Sequence, residues 1–189
     1  MHRLRSVSVF RLILLSALGI GGSAAAFAQS HQSPPESAVA QRAAALDAVE
    51  RQGKARIELV ERYLEAYERL DAEAMGSFYS DSVRFVDPTS EKTPLVTPYV
   101  YEGKEDVVRM LSTVSQFYER LELDVVRIWE SSGHVVVVAN TQGVLRQTDA
   151  SGRPIELSSQ IVTVLLVEGG KIVEHRDYFD YLSAARSAP

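Results

Sequence analysis

Apolar residues recur at helical spacing through Leu59, Val60, Tyr63, Ala66, Tyr67 and Leu70, which puts them on one face of a helix. Upstream, Ala38 to Gln52 is Ala-rich and weakly amphipathic and predicts a separate helix, with Gly53 as the break between the two. Asp71 is placed to cap a short third helix through Ala72, Ala74, Met75 and Phe78. From Ser82 the period changes to two. Val83, Phe85 and Asp87 alternate with Ser82, Arg84 and Val86 until Pro88 ends the strand, so Asp87 closes an apolar face. A Pro- and Thr-rich loop, Thr89 to Pro98, leads to Tyr99–Gly103, and Lys104 to Tyr118 predicts a helix through Val107, Val108, Leu111 and Val114.

Three long strands follow, Leu121 to Glu130, His134 to Gln147 and Ile155 to Val167, and a fourth runs from Lys171 to Phe179. The turns Ser131–Gly133, Asp149–Gly152 and Glu168–Gly170 join them as antiparallel neighbours. Helices first, one strand, a helix and then an antiparallel meander is an α+β order, with N-terminal helices covering one face of a strongly curved, cone-shaped antiparallel sheet. A cone of this kind is expected to be hollow. No internal repeat interrupts the pattern.

The first 28 residues stand apart from it. His2, Arg3, Arg5 and Arg11 make a basic start, Leu12 to Ile20 is a short apolar run, and Ala26-Phe27-Ala28 fits a small-x-small cleavage site, the features of a secretory signal peptide. A membrane anchor needs about 20 apolar residues, more than this run supplies. Export to the periplasm or the medium is therefore expected. Residues 29–52 read as a flexible tether and the Ala-rich helix, 53–182 as the domain, and 183–189 as a tail. Without Arg3, Arg5 and Arg11 the formal charge of −5 becomes −8, which with no basic cluster disfavours nucleic acid and, once the leader is gone, membrane as partners. No cysteine is present, so neither a disulfide framework nor a thiolate metal site is available.

Candidate chemistry concentrates on the last strand. Alternation puts Val173, His175, Asp177 and Phe179 on one face, and Ile172, Glu174, Arg176 and Tyr178 on the other. An imidazole and a carboxylate between apolar neighbours form either a catalytic face or a buried, satisfied polar pair. They lie about 7 Å apart along the strand, far for a direct pair but near enough to converge on one ligand. Asp87 is either a base whose pocket raises its proton affinity or the first residue of an Asp-Pro turn. No two histidines have ligand spacing, so no metal is expected. No glycine-rich phosphate loop and no nucleophile elbow appears, and no cofactor is implied.

The segments Arg62–Ala66, Phe78–Val83 leading to Asp87-Pro88, Tyr101–Lys104, and Gly170–Val173 leading to Arg176–Asp180 resemble, in this order and spacing, the nuclear transport factor 2-like superfamily. Within it the chain looks like the SnoaL-like branch that takes in ketosteroid isomerases and limonene epoxide hydrolases. The resemblance implies the cone fold, homodimerisation and cofactor-free acid–base chemistry. Tyr63 and Asp87 match the oxyanion-binding tyrosine and the proton-shuttling aspartate of the isomerases. The isomerase's third acid falls near Thr163, where Val162-Thr163-Val164 offers none. Asp177 matches the last aspartate of the epoxide hydrolases, whose Arg-x-Asp pair is replaced here by Thr141-Gln142-Gly143.

Asp87, Tyr63, His175 and Asp177 are thus the candidate catalytic residues. Phe85, Tyr67, Thr163 and Phe179 are the residues expected to line a cavity for a small hydrophobic molecule. The rivals to an enzyme are a non-catalytic ligand binder and an interaction module, the latter because the Val135–Val138 neighbourhood would make an apolar outer sheet face.

Overall fold

The computed structural model describes residues 36–90 and 99–187. The residues read as a signal peptide, most of those read as a tether, and the loop from residue 91 to Pro98 lie outside the described residues. The chain falls into two units, Met1–Val49 and Glu50–Pro189. In the first, the described residues are helical, and those from Ser37 onward are exposed apart from half-buried Ala48. The second carries the core.

The first helix, α1, runs from Glu36 to Glu68 without the break predicted at Gly53. A lone glycine costs a helix only about 1 kcal/mol. Here the missing side chain is also useful, because a Cβ on Gly53 would lie 2.8 Å from the Glu130 carboxylate. Then come α2 (Ala72–Phe78), β1 (Tyr79–Asp87), β2 (Tyr99–Glu102), α3 (Lys104–Phe117), β3 (Tyr118–Ser131), β4 (His134–Thr148), β5 (Pro154–Glu168), β6 (Lys171–Phe179) and α4 (Tyr181–Ser187). Asp71 caps α2 as expected, its carboxylate accepting the Ala74 N–H at 2.9 Å. In place of a simple tail, the residues after β6 form α4, because Asp180 accepts from both the N–H and the hydroxyl of Ser183 at the helix start.

The six strands form one curved, unclosed sheet in the order β2-β1-β6-β5-β4-β3, in which only β1 and β6 run parallel. The β5–β6 connection turns on Gly169 and Gly170, both at positive φ (56° and 75°), as a two-residue hairpin requires. Leu59, Val60, Tyr63 and Ala66 of α1 and Val107 and Leu111 of α3 meet the inner face of the sheet in one core. Two polar contacts tie α1 to the edge strand β3. Arg56 donates to Glu130 at 2.9 Å, and the Leu123 N–H, unpaired on the edge, donates to Glu68 at 2.7 Å.

Strand β6 departs from simple alternation. Leu166 pairs with Glu174 and Val167 with Ile172, so Val173 is the extra residue of a bulge. The bulge reverses the phase: Ile172 is fully buried with His175 and Asp177, and Val173 is only half-buried, not inward as strict alternation puts it. Replacing Ile172 by Ala should therefore cost about 2–5 kcal/mol in urea unfolding. Val173→Ala should cost roughly 1 kcal/mol or less. Equal costs would contradict the bulge.

Candidate functional site

His175 lies at the middle of the site because β6 is an interior strand with β1 and β5 on either side. Phe85 of β1 and Leu165 of β5 are its cross-strand neighbours, and Thr163 stands opposite Asp177. The imidazole is 1% exposed. It is boxed by the Phe85 ring, edge-on at 4.7 Å, by Tyr63 at 5.7 Å and by Tyr79, stacked at 6.0 Å. Side chains on a strand lean along its axis. His175 and Asp177 use this freedom to meet, with Nε2 3.0 Å from Oδ1, instead of standing apart as backbone spacing alone suggests.

The hydrogen bonds around the pair form one chain. With Asp177 as a carboxylate, Nε2–H donates to Oδ1, which leaves Nδ1 as an acceptor for the Tyr79 hydroxyl at 2.6 Å. The Tyr63 hydroxyl donates in turn to Tyr79 at 2.8 Å and lies 3.4 Å from the same nitrogen. Thr163 donates to Asp177 Oδ1 at 2.6 Å. Asp177 Oδ2 has no hydrogen-bond partner among the described residues, although the residue is only 7% exposed. Burial raises both Tyr63 and Tyr79 well above the ordinary tyrosine range, which keeps them protonated and able to donate.

Tyr63, Tyr67, Thr163, His175 and Asp177 share a small void with Leu64, Leu123, Val137, Ala139 and Ile161. Its volume is about 10 Å³, the room that a single water needs. The cone is thus largely filled by side chains instead of hollow. Of the eight residues singled out in the sequence, the structure brings five to this void. Phe85 supports it from beneath His175. Phe179 packs on Tyr181, ring centroids 5.0 Å apart, and does not line it.

Asp87 also stands outside the lining. Its Oδ1 accepts from Thr89 N–H (2.9 Å), the Thr89 hydroxyl (2.5 Å) and Ser90 N–H (3.1 Å), and its Oδ2 accepts from the Tyr181 hydroxyl. This is the Asp-Pro turn. It fastens the end of β1 to α4, while Thr89 accepts the Phe179 N–H at 3.0 Å. Two residues of the network carry no prior assignment. Tyr79 begins β1 in phase with Val83 and Phe85, so carrying the alternation back from Ser82 would have found it. Tyr181 follows the last strand and has no periodic signal. Among the described residues no group of three His, Cys, Asp or Glu side chains could hold a metal ion.

A family model of the SnoaL-like domain matches residues 60–175. Among solved structures, the chain is similar to a hypothetical protein with a ketosteroid isomerase-like fold from Catenulispora acidiphila, in complex with trimethylamine (16% identity, 69% of this chain and 92% of that one, TM-score 0.58). It is similar to a proposed SnoaL-like polyketide cyclase from Shewanella putrefaciens (18%, 70% and 84%, TM-score 0.60). It is also similar to an LEH-like epoxide hydrolase from M. tuberculosis (18%, 72% and 91%, TM-score 0.56). At these identities the likeness shows the nuclear transport factor 2-like fold. No curated protein matches the chain.

The raised tyrosines fix a pH dependence. A group whose folded pKa is raised contributes stability that is whole below its unfolded pKa, about 10 for tyrosine, and is lost as pH rises above it. In an alkaline absorbance titration, three of the eight tyrosines, Tyr63, Tyr67 and Tyr79, should stay un-ionised past that pH and ionise only as the fold opens. Ionisation of all eight near the ordinary value in the folded protein would refute the network.

Proposed function

The chain belongs to the SnoaL-like domain family, and from that premise we propose that it is an exported protein that takes up a small hydrophobic molecule beside Asp177 and acts on it by cofactor-free acid–base chemistry. The reactions within reach are proton abstraction beside a carbonyl, cyclisation, dehydration and hydration. The observation that carries this reading is the state of Asp177: one oxygen is held by His175 and Thr163, and the other is unpartnered among the described residues, on a void whose remaining walls are largely apolar. A carboxylate held in this way is oriented and still has a lone pair to take a proton. His175 and Thr163 hold the charge in place, and Tyr79 fixes the imidazole tautomer.

A molecule larger than water needs room from the half-buried part of the wall, Leu64, Tyr67 and Leu123. Asp87, with four donors on its two oxygens, is assigned to structure instead of chemistry. For any sterol, terpene or aromatic polyketide that raises the melting temperature and is converted, Asp177→Asn should lower turnover by a factor of about 100 without unfolding the chain. Asp87→Asn should lower the melting temperature and leave kcat/KM of the folded protein unchanged. No stabilisation across the panel, or full turnover in Asp177→Asn, would end the acid–base reading.

A different observation supports a homodimer, and with it the reading of the domain as an interaction module. On the outer sheet face Trp129, Val136, Val164 and Arg176 form one cross-strand row, and Arg127, Val138, Val162 and Tyr178 the next. Trp129 and Tyr178 are 41% and 38% exposed. This apolar patch, flanked by Arg127 and Arg176, fits a second copy of itself related by a two-fold axis. Light scattering on the exported form, expected by N-terminal sequencing to begin at Gln29, should give twice the chain mass, and Val162→Glu should halve it. A monomeric wild type would overturn the dimer.

A further inference from the structure

We propose that the N-terminal part of α1, Val39 to Val49, is a self-association surface that pairs antiparallel with the same segment of a second copy of this chain. Val39 is 53% exposed, and Leu46 and Val49, each 65% exposed, are the most exposed large apolar side chains among the described residues. With Arg42 between them, they stand at positions 39, 42, 46 and 49, the alternating three- and four-residue spacing of a coiled-coil seam. From Gly53 onward the helix is taken up by the domain. A Cβ on Gly53 would lie 2.8 Å from the Glu130 carboxylate, and Leu59 and Val60 enter the core.

Charge identifies the occupant of the seam. The mature chain is acidic, yet residues 36–54 balance Glu36, Asp47 and Glu50 against Arg42, Arg51 and Lys54. A strongly basic or acidic partner finds no net charge to meet here, whereas two acidic copies approach with least repulsion where each is neutral. Among the described residues Arg42 and Glu50 form no ion pair, so both are available to a second copy.

The same two charges set the direction. A parallel pair in register would place Arg42 against Arg42. In an antiparallel pair with its two-fold axis at Ala44, Val39 of each copy lies opposite Val49 of the other, and Arg42 lies opposite Leu46. Glu50 is one turn beyond Leu46 on the same helix face, which brings it within reach of the opposing Arg42 guanidinium, twice per pair. The Arg42 methylenes then cover Leu46 while the charge goes to the carboxylate. Four side chains from each copy bury far less than the roughly 800 Å² per partner of a stable interface. The contact is therefore weak and separate from the sheet-face contact, and at high protein concentration it joins sheet-face dimers in pairs.

Sedimentation velocity on the full exported chain carrying Val162→Glu, which removes the sheet-face contact, isolates the helix pair. The mass should rise from one chain to two between about 10 µM and about 1 mM, the range of a transient contact. Leu46→Ala in that background keeps the helix and should abolish the rise. Arg42→Glu should weaken association about tenfold, and adding Glu50→Arg should restore it, because the exchanged charges pair again across the antiparallel contact. A parallel pair would be indifferent to both changes, since like charges face each other throughout. In the otherwise unaltered chain, Leu46→Ala should leave the sheet-face dimer intact at about 10 µM, so that failure of one contact is not read as failure of the other. A single-chain mass in the Val162→Glu background at about 1 mM, or association there that survives Leu46→Ala or is not restored by the charge exchange, overturns the helix pair.

Discussion

Two ionisable side chains on one interior strand govern this fold. Burying His175 and Asp177 without partners would cost several kcal/mol, enough to offset much of a small domain's net stability. The surrounding elements supply those partners: Thr163 from the strand on one side, the Phe85 ring from the other, and Tyr79 and Tyr63 from the start of β1 and from α1. The bulge at Val173 makes this compatible with the core. A strand without the extra residue would have to turn out either Ile172 or the His–Asp pair, because a one-residue shift moves every later side chain to the opposite face.

The two buried aspartates differ in hydrogen-bond saturation, the difference on which the proposed division between structure and chemistry rests. Asp87 is 4% exposed and Asp177 7%, so burial does not distinguish them. Asp87 accepts four donors spread over both oxygens and joins β1 to α4. Asp177 accepts two, both on one oxygen. A saturated carboxylate has little left to offer a substrate, whereas a half-saturated one is both positioned and reactive. The Tyr63-to-Asp87 spacing of an isomerase is therefore present in the sequence, while the hydrogen bonds around both residues have been turned inward. The same fold supports different chemistries in this way, through the local commitments of a few groups.

Much of the architecture was legible because it rests on periodicity. The meander, the Asp71 cap and the two-residue turn at Gly169-Gly170 each follow from a local rule that tertiary packing does not overrule. Most of the misreadings share a cause: a residue whose role is set by a distant partner. Gly53 has the signature of a helix break, but it makes room for Glu130, more than seventy residues away. Val173 falls on the inner face by strict alternation, and only pairing with β5 reveals the bulge. The His175–Asp177 contact is local but shorter than strand rise implies, because rise fixes backbone spacing and not the lean of side chains. Tyr79 and Tyr181 matter through bonds to His175 and Asp87, and neither bond has a local sequence signal.

A void of about 10 Å³ is compatible with a site for a larger molecule if opening costs less than the ligand returns. The half-buried part of the wall is Leu64, Tyr67 and Leu123, and the polar tie beside it is the exposed bond from the Leu123 N–H to Glu68. Releasing that bond to water costs about 0.5–1.5 kcal/mol, and exposing part of two leucines adds roughly 1–2 kcal/mol. A ligand that buries about 150 Å² of apolar surface gains close to 4 kcal/mol at about 25 cal/mol per Å². A hydrogen bond to Asp177 Oδ2, which has no partner among the described residues, would add to this gain. The balance favours opening only for a molecule that is both apolar over most of its surface and polar at one end. A filled interior would therefore favour the same molecule as the proposed chemistry of its wall.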